Sequence, residues 1–292
     1  GQTIFEGLKA FRGTDDRKIR LFRVDRNAAR LTASCTRLCI PAPDESLVID
    51  SIKQLVMLDQ GWAPSRRGEA LYVRPVLIAT EPHLAVRPAS RYRLLIFTSP
   101  VCEYFAQVKS PLYLKAEERY TRAPHGGTGY AKTASNYSVT LRPMNDSVED
   151  GFDQILWLDG QEHKYVEEAG QMNIFFRLGD SVVTPDLSGT ILPGVTRESV
   201  LTLLDDMGVT ATERRLSMDE LFLAQANGEL YEAFGAGTAS VVVPIGRIRY
   251  HDSDLRFPDE QQGNLCPELY NKILGIQHGE LEDRHYWMMP LE

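Results

Sequence analysis

Short runs of the chain carry apolar residues at every second position, and others carry them at every third or fourth, so the pattern mixes strands with helices. Phe5 to Phe11 and Ile19 to Val24 flank the charged turn Gly13-Thr14-Asp15-Asp16 and predict a hairpin. Asn27 is placed to cap a helix with Leu31, Cys35 and Leu38 on one face, stopped by Pro41 and Pro43. A second amphipathic helix is expected over Ser46 to Gln60, then strands over Leu71 to Thr80, Tyr92 to Thr98 and Leu112 to Glu117. Beyond a linker at 121–133 the pattern predicts a helix from Asn136 to Val148 and a buried strand from Gln154 to Leu158. A hairpin follows around Leu178-Gly179-Asp180, then a helix from Pro193 to Met207 and another from Met218 to Ala226. Strands at Glu229 to Phe234 and Ala239 to Pro244 and a closing helix from Pro267 to His278 complete the reading. Strands and helices do not alternate strictly, which favours α+β layers over a doubly wound sheet. The expected organisation is a smaller domain at 1–120, the linker 121–133, and a larger domain at 134–292.

Composition narrows the function classes. The chain has 292 residues, 43% hydrophobic and 25% charged, with a net charge of −8. That balance belongs to a globular protein and argues against a nucleic-acid surface, while a local positive site could still hold a small anion. Four cysteines (Cys35, Cys39, Cys102, Cys266) are too few for a disulfide scaffold and fit a reducing, cytoplasmic setting. Cys35 and Cys39, one turn apart, are expected to pack in a core and not to bind metal. The chain starts at Gly1 without Met and runs directly into a strand, so upstream sequence is expected, and a mitochondrial targeting segment could lie there.

Between Arg122 and Arg142 the only full charge is Lys132, set among small and hydroxylic residues behind Gly126, Gly127 and Gly129. A partly desolvated amine of this kind can attack an aldehyde, although a surface loop lysine is the competing reading. Arg74 lies inside an apolar, β-rich run and must find an anion, from a protein carboxylate or from a ligand. Two further features suit a phosphate. They are the helix-opening turn Gly194-Val195-Thr196 and the glycine-rich Gly235-Ala236-Gly237-Thr238-Ala239, read as a turn able to form a backbone nest. Glu168, just before an apolar strand, could hold a proton on a buried ring nitrogen or could be a solvated strand end. A reactive lysine, an acid and several phosphate donors are together what pyridoxal 5'-phosphate needs from a protein.

With these residues in view, the chain resembles the class IV (fold type IV) aminotransferases, and among them the branched-chain amino-acid aminotransferases. The resemblance rests on Glu168, Asn173, Ile174-Phe175, Thr184 and Gly194-Val195-Thr196-Arg197 in order. It also rests on Phe5-Glu6-Gly7-Leu8-Lys9-Ala10, Tyr72-Val73-Arg74-Pro75, Gly126-Gly127-Thr128-Gly129 and Phe234-Gly235-Ala236-Gly237-Thr238-Ala239. It implies an α+β, two-domain fold like that of D-amino-acid aminotransferase, with the cofactor between the domains. It implies that Lys132 bonds the cofactor and carries the substrate α-proton. Tyr137 would hold the phenolic oxygen and Glu168 the ring nitrogen. Arg74, Val195, Thr196 and Thr238 would hold the phosphate. Phe5, Tyr104, Gln171, Thr238 and Ala239 would face the substrate, Tyr104 from the partner subunit of a homodimer.

Three departures from the family pattern bear on substrate range and regulation. Ala134-Ser135 stands for the usual Gly-Gly, Gln171 for a small threonine, and Ser240 with Val243 for the Cys-x-x-Cys pair of some animal members. The implied reaction is amino transfer between Leu, Ile or Val and 2-oxoglutarate. The alternatives are a D-amino-acid aminotransferase, an aminodeoxychorismate-type lyase, or a non-catalytic ligand-binding homologue.

Overall fold

The structure, a computed structural model, describes residues 1–102, 111–257 and 264–291. The chain divides into two compact units, Gly1–Tyr104 with Ala131–Ser135 and Lys272–Glu292, and Phe105–Tyr130 with Asn136–Asn271.

The first unit holds β1 (Thr3–Phe5), β2 (Leu8–Arg12), β3 (Ile19–Phe22), α1 (Val24–Arg37), α2 (Glu45–Leu58), β4 (Ala70–Ala79) and β5 (Tyr92–Val101). Every pairing among these strands is antiparallel, and β4 and β5 match along all ten residues. Against the other side of β4, β1 pairs with Val76 to Ile78 and β2 with Leu71 to Val73, as one strand broken at Glu6-Gly7. Pro75 explains the break. Its carbonyl accepts the Glu6 N–H at 2.8 Å, but it has no N–H to return on that side. The amphipathic faces of α1 and α2 close a core through Leu31, Cys35, Val48, Ile52 and Val56 against Ile4, Leu8, Leu71 and Val73.

The second unit holds β6 (Leu112–Ala116), α3 (Ser135–Ser138), α4 (Leu141–Glu149), β7 (Gln154–Leu158), β8 (Val166–Ala169), β9 (Met172–Leu178), β10 (Ser181–Thr184), α5 (Val195–Asp206), β11 (Ala211–Glu213), α6 (Met218–Ala226), β12 (Leu230–Gly237), β13 (Val241–Tyr250) and β14 (Ser253–Arg256). Strands β9, β12, β13, β6, β7 and β8 pair in turn, and β8 pairs back to β9, so the sheet closes on itself. Inside that circuit the alternate residues of each strand form the larger core, with Leu114, Leu156, Ile174, Phe176, Val243 and Ile248 all nearly or fully buried. Helix α7 (Leu265–His278) follows, and β15 (Met288–Pro290) pairs with β3.

Pairing between strands distant in sequence moves the boundaries away from 1–120, 121–133 and 134–292. Residues 111–120 group with the second unit because β6 lies between β13 and β7, and 272–291 return to the first unit through β15. Four local expectations change too. Asn27 sits inside α1, not at its cap, and its amide donates to the Glu6 carboxylate at 2.9 Å. Cys39 lies beyond the end of α1 and is exposed, so only Cys35 packs in the core. The single helix expected at 136–148 is two, because Pro143 can occupy only the first turn of a helix and α4 restarts ahead of it. Gly235 to Gly237 are strand and not nest. A Cβ on Gly235 would lie 3.0 Å from the Met172 side chain, so the glycines serve close strand packing.

Candidate functional site

In the first unit, Lys132 and Arg74 meet on one aromatic ring. The Lys132 Nζ stands 4.9 Å from the centroid of Phe5, and the Arg74 guanidinium carbon 4.7 Å from it. Arg74 also lies over the Tyr72 ring at 5.1 Å and donates from Nη2 to the Tyr72 hydroxyl at 2.6 Å. Burial pushes the Tyr72 phenol up against the pull of Arg74, so it stays a neutral hydroxyl. Among the described residues Arg74 has no carboxylate in an ion pair, and its buried Nε has no hydrogen-bond partner. Among the described residues, then, the contacts of Arg74 are with aromatic rings and a phenol, and a guanidinium of this kind, its Nε buried, has capacity left to pair with an anion.

Beside these cations lies Glu6, 1% exposed. Arg30 grips it in a fork, Nε to Oε1 and Nη2 to Oε2 both at 2.8 Å, and Asn27 adds a third donor. Burial pulls the Glu6 carboxyl up, yet Arg30, Lys132 and Asn27 hold it below the usual carboxylate range.

In the second unit, Glu168 projects from β8 and is 4% exposed. Its Oε1 accepts the Leu192 N–H at 2.9 Å, and its Oε2 lies 2.7 Å from Arg122 Nε in a buried ion pair. Arg122 is held in turn by the carbonyls of Gly129, at 3.1 Å, and Thr190. Neighbouring Glu167 takes a hydrogen bond from the Thr190 hydroxyl, and burial raises its carboxyl to about 7, against that bond and against Arg122. The chain then turns into α5, which starts at Gly194 with no side-chain cap and so presents Val195 and Thr196 at an open helix N-terminus. Asn173 closes on this turn, donating to the Leu192 carbonyl at 3.0 Å, and a Cβ on Gly194 would meet its Oδ1 at 2.0 Å. Thr184 ties β10 to β9 through the Ile174 carbonyl. Arg197 is buried and points to Glu213 and the Pro185 carbonyl.

Of the residues singled out from sequence, Lys132, Phe5 and Arg74 are brought together in the first unit. Tyr137, Glu168, Gln171, Val195, Thr196, Thr238 and Ala239 fall in the second. Tyr137 lies on α3, half-buried, and its carbonyl accepts from Thr140. Thr238 and Ala239 form the turn after β12, and Gln171 is exposed. Tyr104 lies outside the described residues. Glu6, Ser34, Arg122, Glu167 and Thr190 were not singled out as site residues. For Glu6 and Glu167 a signal was present, a carboxylate directly after an apolar residue, Phe5 or Val166, at or beside a strand, but which arginine or hydroxyl answers it is a tertiary matter.

Residues 3–248 match the family described as amino-transferase class IV, and the chain belongs to that family. Among curated proteins it is 46% identical to branched-chain-amino-acid aminotransferase 2 of Bacillus subtilis, over 98% of this chain and 79% of that protein. It is 45% identical to the branched-chain-amino-acid aminotransferase of Mycobacterium tuberculosis, over 99% of this chain and 80% of that one. Its fold is that of the Thermobaculum terrenum branched-chain amino acid aminotransferase solved in its PLP form. That match has a TM-score of 0.83 at 21% identity, covering 99% of this chain and 89% of that one. The Escherichia coli branched-chain enzyme matches with a TM-score of 0.81 at 19% identity, over 100% of this chain and 90% of that one.

Proposed function

We propose that this class IV aminotransferase transfers amino groups between branched-chain L-amino acids and 2-oxoglutarate with pyridoxal 5'-phosphate. The observation that carries the reading is the shared Phe5 ring, with an amine on it and a guanidinium that no described carboxylate pairs. One group suits an aldehyde and the other a phosphate. The uncapped start of α5, kept close by glycine at 194, supplies a second anion-binding element. The cofactor would supply an aldehyde to take the amino group and a protonated ring to draw electrons from the α-carbon.

Lys132 Nζ would bond that aldehyde and move the proton off the substrate α-carbon. Glu168, aimed by Arg122 and the Leu192 N–H, would hold the proton at the ring nitrogen. Arg74, the backbone N–H groups of Val195 and Thr196, and Thr238 would hold the phosphate, and Tyr137 the phenolic oxygen. Phe5, Gln171, Thr238 and Ala239 would contact substrate. A homodimer belongs to this reading and is checked by sedimentation equilibrium.

The test is a donor profile. Purified protein with pyridoxal 5'-phosphate and 2-oxoglutarate should turn over Leu, Ile and Val far faster than D-alanine, and borohydride should fix the cofactor to Lys132. Preference for a D-amino acid, or lyase activity without amino transfer, would refute it.

A further inference from the structure

Lys132 belongs to a stretch without regular secondary structure, entered through three glycines, yet its peptide groups are held as firmly as those of a strand. Its carbonyl accepts the Phe5 N–H at 3.0 Å. The next residue, Thr133, bridges to Ile4, and its hydroxyl donates to the Thr3 carbonyl at 2.8 Å. These bonds fix the C-terminal side of Lys132 to β1.

On the N-terminal side a buried side chain takes the peptide N–H. The Lys132 N–H donates to Ser34 Oγ at 2.9 Å. Ser34 is on α1 and fully buried, and its hydroxyl proton is directed elsewhere, to the Arg30 carbonyl one turn back at 2.9 Å. The oxygen is thereby turned lone-pair outward toward the lysine. Thr32, part-buried, and Thr36, exposed, make the same back-bond on the same helix. Arg30 is itself pinned by the Glu6 fork, and Glu6 follows Phe5, the ring beneath the lysine amine. One closed circuit therefore runs Phe5, Glu6, Arg30, Ser34, Lys132 and back to Phe5.

We propose that Ser34 is a positioning residue for Lys132: it sets the backbone from which the reactive amine projects, and the Glu6–Arg30 pair holds Ser34 in register. The inference rests on the reading of Lys132 as the reactive lysine. Loss of the Ser34 oxygen removes the acceptor that the lysine N–H now uses in a buried place, and the peptide is released to rotate. Rotation there swings Nζ off its ring, and a misplacement of about 1 Å in a reacting group can cost up to about a hundredfold in rate.

The test compares wild type, Ser34→Ala and Ser34→Thr, the last keeping a hydroxyl able to make both bonds. Three quantities are measured on each full-length protein: the rate at which added pyridoxal 5'-phosphate becomes reducible by borohydride at Lys132, kcat against KM, and the melting temperature without cofactor. Ser34→Ala should slow the covalent capture about ten- to a hundredfold and lower kcat by a similar factor with KM little changed. Ser34→Thr should restore most of both. A capture rate and kcat at wild-type levels in Ser34→Ala, with only the melting temperature lowered, would overturn the proposal, since Ser34 would then serve the fold alone. If Ser34→Ala does not fold, Ser34→Cys, a poor acceptor of similar size, takes its place with the same expectation and the same refutation. Failure of the underlying reading looks different, because the wild-type adduct would then map to another residue.

Discussion

Glu167→Gln should make the protein more stable near neutral pH, although it removes a charged residue with a hydrogen-bonded partner. Glu167 lies on β8 with one oxygen bonded by Thr190 and the other buried without a hydrogen-bond partner among the described residues. Its carboxyl titrates near 7 in the fold instead of near 4.5, chiefly through burial, with Glu168 and Asp159 adding repulsion and Thr190 and Arg122 opposing. Because the folded value is raised, the favourable contribution is complete below about 4.5 and is lost as pH climbs through about 7. The loss over that window is about 3 kcal/mol, at 1.36 kcal/mol for each pH unit between the two values. Glutamine cannot ionise, and its carbonyl can still accept from Thr190. The variant and wild type should therefore be nearly equal at pH 4.5 and diverge to about 3 kcal/mol in favour of the variant by pH 7.5. Urea unfolding of both proteins across that range measures the divergence. A difference that stays constant with pH would show that Glu167 titrates alike in the folded and unfolded chain, and the reasoning from burial would fail.

His278 gives the opposite slope. Its Nδ1 bonds the Arg12 carbonyl and its Nε2 accepts the Gly68 N–H, so the fold needs the neutral ring; burial lowers its pKa against Glu280, with Arg67 adding to the lowering. Stability that is present above about 6.5 should fall as pH drops below it. His278→Gln should lose less between pH 7.5 and 5.5 than wild type does, and equal losses in melting curves would refute this. Gly7→Ala tests the Arg74 arrangement from behind. A Cβ there would lie 2.0 Å from the Tyr72 hydroxyl that steadies Arg74, so the cofactor dissociation constant should rise about tenfold for the loss of one charge-assisted bond. Fluorescence titration that finds unchanged affinity would show that Tyr72 does not position Arg74.

Much of this protein is written in local pattern. The apolar spacing of Val48, Ile52 and Val56 fixes α2 within a residue or two, because a helix face needs only its own period. Met218 to Ala226 was legible to the residue, since Ser217 caps α6 by accepting the Glu220 N–H. Lys132 among small residues, Arg74 in an apolar strand and Gly194 before a helix each pointed to chemistry from sequence alone. Tertiary structure decided which groups surround them. Pairing of β6 with β13 and β15 with β3 redrew the units, because strand partners carry no mark in a single sequence. Asn27 reads as a cap until Glu6 is seen 2.9 Å from its amide. Arg74 could have met a carboxylate, and only the folded chain shows aromatic rings and a phenol around it. Ser34, an unremarked polar residue on an apolar stripe, touches Lys132 across 98 residues of chain, a contact that no spacing rule can carry.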